Sequence, residues 1–155
     1  MGHPHAVLTL TPTPYAVAAH LVAELDEDLL VRYGPGDTVL AHPEQFTAAE
    51  RGAFLVASYD GEEAGCAGVR AIRPAVAELK RMWVRPAFRG WGLARALLAG
   101  CEDAARAHGH RQLWLETGLR QPEAIALYTS AGYVPVERFG QYADEEDSVH
   151  LGRLL

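Results

Sequence analysis

Residues 77–100 read AELKRMWVRPAFRGWGLARALLAG, and this stretch decides the fold. Ala77 to Val84 is apolar with interspersed charge and closes on Met82-Trp83-Val84, the composition of a buried strand. Arg85-Pro86 stops it, because proline offers no N–H to a strand ladder. From Leu93 the apolar residues Leu93, Leu97, Leu98, Cys101, Ala104 and Ala105 recur at helical spacing. Between strand and helix stands Phe88-Arg89-Gly90-Trp91-Gly92, without the Ser, Thr, Asp or Asn that usually caps a helix. The first amides of such a helix find no acceptor within it. Two glycines let the backbone approach a ligand closely, and Arg89 adds positive charge. Bare amides, a positive dipole end and an arginine together suit a phosphate or pyrophosphate. A glycine turn capped by water is the plainer alternative.

Outward from this stretch the chain reads as alternating short elements. Ala6–Leu10 is a first strand ended by Pro12 and Pro14, and Tyr15 to Tyr33 carries a helical stripe of Ala18, Leu21, Val22, Leu25 and Leu29. Residues 38–52 show no clear period and predict an irregular or short helical connection. Ala53–Tyr59 is a strand, Asp60-Gly61 a hairpin turn, and Glu62–Ile72 its partner. Val76–Val84 follows as a third antiparallel strand. After the helix that starts at Leu93, Gly109 is a stop and Gln112–Thr117 a strand. That order predicts a parallel crossover. Pro122 opens a short helix to Ala131, and Tyr133–Val136 and Val149–Leu154 complete the sheet.

At 155 residues the chain is expected to form one domain with a proper core. Its 20 acidic residues exceed 14 Lys plus Arg, which argues against nucleic acid held by general charge. No apolar run reaches membrane-spanning length and no signal peptide is evident, so a cytoplasmic location is expected. Cys66 and Cys101 form no close-spaced pair, and the histidines show no metal-ligand spacing. No Walker phosphate loop and no opening dinucleotide fingerprint is present. Asp144-Glu145-Glu146-Asp147 reads as a solvated tip, with steering of a cationic partner as its rival.

Arg89-Gly90-Trp91-Gly92-Leu93-Ala94 resembles the R/Q-x-x-G-x-G/A signature of the GNAT superfamily of acyl-CoA N-acyltransferases. A second match is Pro122-Glu123-Ala124-Ile125-Ala126-Leu127-Tyr128 with Ala131-Gly132-Tyr133. The resemblance covers about residues 50–140. It implies an α/β fold with a mixed, mostly antiparallel sheet of six to seven strands, flanked by helices, whose fourth and fifth strands splay to hold the acyl donor. It implies acetyl-CoA as cosubstrate and no metal. The acceptor would be a primary amine of a small molecule or peptide, acetylated by direct transfer in a ternary complex; a homodimer is left open. A non-catalytic acyl-CoA-binding domain of the same fold is the alternative.

The resemblance also assigns candidate residues. The pyrophosphate falls to the backbone of Arg89 through Ala94, and the pantetheine arm to the strand edge at Met82, Trp83 and Val84. Gln121 falls where members often carry asparagine on that arm, and Ala94 where many have glycine. Tyr128 is the expected general acid, since a phenol with an ordinary pKa of about 10 can protonate a leaving thiolate. By its spacing before Arg89, which matches the base glutamate of some members while others use a water chain instead, Glu78 is the expected general base. Strand alternation places it on one face with Val76, Lys80 and Met82, where a salt bridge to Lys80 is the structural alternative.

Overall fold

A computed structural model describes residues 7–35 and 42–155. The sequence positions Ala6 and 36–41 lie outside the described residues. Strand β1 (Leu8–Pro12) pairs antiparallel with β2 (Ala53–Tyr59), reaching two residues beyond the predicted end. Pro12 is tolerated there because β1 is the sheet's edge and its outer side needs no donor. The first helical stretch divides into a short 3-10 turn, Tyr15–Ala18, and helix α1 (Ala19–Tyr33). Two further 3-10 turns, Pro43–Phe46 and Ala48–Glu50, make the connection to β2.

Asp60 and Gly61 both take positive φ, 51° and 83°, and turn β2 into β3 (Glu62–Arg73). Strand β4 (Val76–Val84), helix α2 (Leu93–Ala107) and strand β5 (Gln112–Gly118) form the predicted crossover, with β4 and β5 parallel. Helix α3 (Pro122–Ser130), β6 (Val134–Pro135) and β7 (Ser148–Leu154) follow. The seven strands lie in the order β1-β2-β3-β4-β5-β7-β6, antiparallel except at β4–β5.

The main core lies on the side of α2 and α3, where Leu93, Leu97, Leu98 and Tyr128 meet Leu55, Val69, Leu79, Leu113 and Leu115. The opposite face of β2–β4 is covered by α1, through Leu21, Val22 and Leu25 on Phe54, Val56, Cys66 and Trp83.

Strand β4 departs from simple alternation. Its register against β3 slips between Gly68–Lys80 and Cys66–Trp83, and Arg81 sits in the slip at φ 59°. The extra residue is a β-bulge, which reverses the side-chain phase beyond it. Glu78 and Lys80 therefore do not share a face with Met82, contrary to the sequence expectation: Met82 packs against the α2 core, and Trp83 takes the α1 face.

Candidate active site

The β4–β5 ladder is three residues long: Val76–Gln112, Ala77–Leu113 and Glu78–Trp114. Beyond it β5 stays paired with β7 while β4 bends at its bulge and stays with β3. The strands part, as expected, around a cleft of about 940 Å³. Its walls are Leu79–Met82 of β4 and Leu115–Gly118 of β5, and α3 contributes Tyr128. On this side the backbone of Met82–Val84 meets no strand among the described residues. The Val84 carbonyl accepts one bond, from Arg89 Nε at 3.1 Å.

The turn into α2 lies at the end of β4. Gly90 and Gly92 have φ of 82° and 84°, and no side chain caps the helix. The first turn of α2 closes with the Ala96 amide donating to the Gly92 carbonyl at 3.1 Å. The amides of residues 90–95 find no acceptor among the described residues. A Cβ built on Gly90 or Gly92 meets nothing within 4 Å, so the turn is open where those side chains would stand. The side chains of the turn are mostly engaged elsewhere. Trp91 stacks into an aromatic group with Tyr59 (4.9 Å) and Phe88 (5.5 Å), and Leu93 is buried in the core. Trp83 donates its Nε1–H to Glu24 at 3.2 Å. Arg89 lies 4.9 Å over the Trp83 ring, exposed and without a carboxylate partner among the described residues. Ala94 is half-buried.

Tyr128 is 7% exposed, and its hydroxyl donates to Met82 Sδ at 3.7 Å. Burial pushes the phenol's pKa up, so it keeps its proton through the neutral range. Gln121, the residue before α3, donates from Nε2 to the Tyr33 hydroxyl at 3.1 Å. A Cβ on Gly118 would come within 2.0 Å of that same hydroxyl, so only glycine lets the end of α1 close onto the end of β5.

Glu78 is buried behind the cleft-lining residues of β4. It is 4% exposed, and one carboxylate oxygen accepts Arg70 Nε at 2.9 Å and Nη2 at 2.8 Å. It is not part of the cleft wall. Lys80, next along that face, reaches Glu78 only at 3.9 Å. Lys80 and Glu116 do line the cleft, from β4 and β5 respectively. Burial lowers the Lys80 pKa and raises that of Glu116. Ser148 Oγ donates to Glu116 at 2.7 Å and stands 3.0 Å from His150 Nε2. Desolvation also holds the His150 pKa below its ordinary value. Sequence reading missed Glu116, Ser148 and His150. Alternation in Leu113-Trp114-Leu115-Glu116-Thr117 puts Glu116 on one face with Trp114, a signal for a buried acid that was there to be followed.

A bent β4, an open strand edge and an uncapped glycine turn match the geometry the two motifs imply, and comparison with known proteins agrees. The acetyltransferase (GNAT) family model matches residues 20–133. The chain belongs to the acetyltransferase (GNAT) family. It is therefore an acyltransferase by family. Over 103 residues it is 39% identical to an IAA acetyltransferase of Azospirillum brasilense, covering 66% of this chain and 67% of that protein. It is 35% identical over 88 residues to an uncharacterized N-acetyltransferase, YjgM, of Escherichia coli, covering 55% of this chain and 53% of that protein. The match thus spans about two thirds of the first relative and about half of the second. A crystal structure assigned to an acyl-CoA N-acyltransferase of Klebsiella pneumoniae superimposes with TM-score 0.78 at 30% identity, over 96% of this chain and 98% of that one.

The matched family region contains the turn, Tyr128, Lys80 and Glu116. Ser148 and His150 lie beyond it, on β7. The GNAT chain thus completes one wall of its cleft with a strand outside the matched region.

Proposed function

We propose that this protein moves an acetyl group from acetyl-CoA to the amine of a small molecule or peptide, by direct transfer while both substrates are bound. The observation that carries this reading is the continuity of the parted β4–β5 pair with the open, uncapped turn at Gly90–Gly92. The turn fits a pyrophosphate: six consecutive amides have no acceptor among the described residues, they stand at the positive end of α2, and Arg89 beside them is exposed. The free edge of Met82–Val84 offers backbone groups to the pantetheine arm, with Gln121 across the gap. The donor supplies the acetyl group and a thiolate as leaving group.

This chain's residues do the rest. The cleft holds amine and thioester together, and such placement can be worth roughly 7–11 kcal/mol of barrier. The amine must lose a proton before it attacks the carbonyl carbon. As the C–S bond breaks, Tyr128 gives its proton to the sulfur. Glu78, the expected base by its spacing before Arg89, is held by Arg70. The test is thiol release from acetyl-CoA with a panel of amines, amino acids and peptides. Amine-dependent release supports the reading. Release that never exceeds the amine-free rate, with any acceptor class, opposes it.

A further inference from the structure

The two walls of the cleft carry opposite charges that do not meet. Arg70 on β3 and Glu78 and Lys80 on β4 form a line of two cations and one carboxylate, and the Glu78–Arg70 pairing leaves the surplus positive charge at Lys80. The Lys80 ammonium makes no hydrogen bond among the described residues, and its ion contact with Glu78 is long at 3.9 Å. Its neighbour Arg81 is already committed to Asp26 at 3.1 Å. On β5, Glu116 has a single hydrogen-bond donor, Ser148, and no cation within ion-pair distance among the described residues. Lys80 and Glu116 feel one another across the gap, yet they form no ion pair. A half-buried ammonium with unused donors is costly, and so is a half-buried carboxylate with an unused oxygen. Both line the one cleft, and together they suit a guest that brings the complementary pair.

We propose that the acceptor is an amino acid or a molecule that likewise carries a carboxylate close to its amine, with Lys80 taking the carboxylate and Glu116 the amine. The proposal rests on the amine-acetylating reading above and names its substrate class. Glu116 holds the incoming ammonium by charge and receives the proton it sheds. Ser148 keeps that carboxylate aimed, and since its hydroxyl hydrogen is spent on Glu116, it accepts from the His150 Nε2–H. The products are the N-acetyl acid, free CoA thiol and one proton. A peptide with a free amino terminus lacks the neighbouring carboxylate and is a poorer fit.

The test compares free amino acids with their carboxamides, which keep the shape and the amine but lose the charge. Thiol release from acetyl-CoA is followed for the twenty common amino acids and matching amides, with wild type, Lys80→Met and Lys80→Arg. At least one acid should exceed its amide in kcat/KM by about 10–100-fold, the worth of a hydrogen bond to a charged group. In Lys80→Met that ratio should fall towards one, chiefly through the acid's KM. Lys80→Arg, which keeps the charge, should retain a preference. Amides acetylated as well as or better than their acids in wild type would overturn the carboxylate contact and leave amine acetylation standing. An undiminished ratio in Lys80→Met would overturn the assignment to Lys80. Acetylation of other amines but of no amino acid would overturn the proposed class. No release with either series would overturn this proposal and count against the parent reading as well.

Discussion

Tyr128 is built to hold a proton. Its ring packs 6.0 Å from Tyr133, its hydroxyl finds only a thioether, and burial raises its pKa. Tyr128→Phe removes the proton and little else, because a Met Sδ is a weak acceptor. Turnover should fall by about 10²–10⁴-fold, while CoA affinity measured by calorimetry stays near wild type. Unchanged turnover with chemistry rate-limiting would return the ring to a packing role. Glu116 makes a prediction about stability. Its folded pKa is raised by burial from an ordinary 4.5. Below that value the carboxyl is protonated whether folded or unfolded, and its contribution is fully present. As pH climbs, the unfolded chain ionises first, and stability is lost until the folded carboxyl has also ionised. Glu116→Gln removes this dependence. In urea unfolding, its stability relative to wild type should be constant at low pH and improve as pH rises above 4.5. A difference that does not change with pH would mean that Glu116 is not buried as described.

At the scale of elements, the bulge in β4 and the anchoring of α2 matter most. Glu102 on α2 is buried, and its Oε2 accepts the Tyr133 hydroxyl at 2.9 Å and Arg153 Nη1 at 2.8 Å. One carboxylate thereby ties the donor-side helix to the end of α3 and to β7. Tyr133→Phe should cost about 1–3 kcal/mol in urea unfolding, since it strips a donor from a buried acceptor. A loss near zero would show that Arg153 alone suffices. These elements were unequally legible. The strand–turn–helix at 77–100, the Asp60-Gly61 hairpin and the α3 start at Pro122 follow from local rules that tertiary structure does not override. The bulge does not: Leu79-Lys80-Arg81-Met82 carries no glycine or other mark, and the slip is set by pairing with β3. Plain alternation without the bulge places Met82 on the opposite face from the one it takes. Glu78 was found by family spacing, which says nothing of Arg70 on the neighbouring strand. The contact of Glu116 with Ser148 crosses 32 residues, and no local pattern encodes it.

Across the whole molecule, net charge is −6, and Glu145 and Asp147 of the acidic run stand on the cleft's rim. That placement bears on arrival rather than chemistry. Neutralising Asp144, Glu145, Glu146 and Asp147 to Asn and Gln should lower kcat/KM for a purely cationic amine at low salt. It should leave a zwitterionic amino acid, with no net charge to steer, nearly unaffected. The difference should vanish near 1 M salt, where the Debye length is about 3 Å. Equal losses for both acceptors would point to a structural role for the run instead. The central claim is that the donor's pyrophosphate rests on the turn before α2, and calorimetric titration with CoA tests it most directly. Asn and Asp tolerate a left-handed backbone better than other residues with side chains, so Gly92→Asn and Gly92→Asp suffer similar strain and differ in charge. The expected result is binding to wild type, weaker binding to Gly92→Asn, and almost none to Gly92→Asp, whose carboxylate would face the phosphates. Equal affinity for Asp and Asn variants, at or near the wild-type value, would contradict the donor site described above.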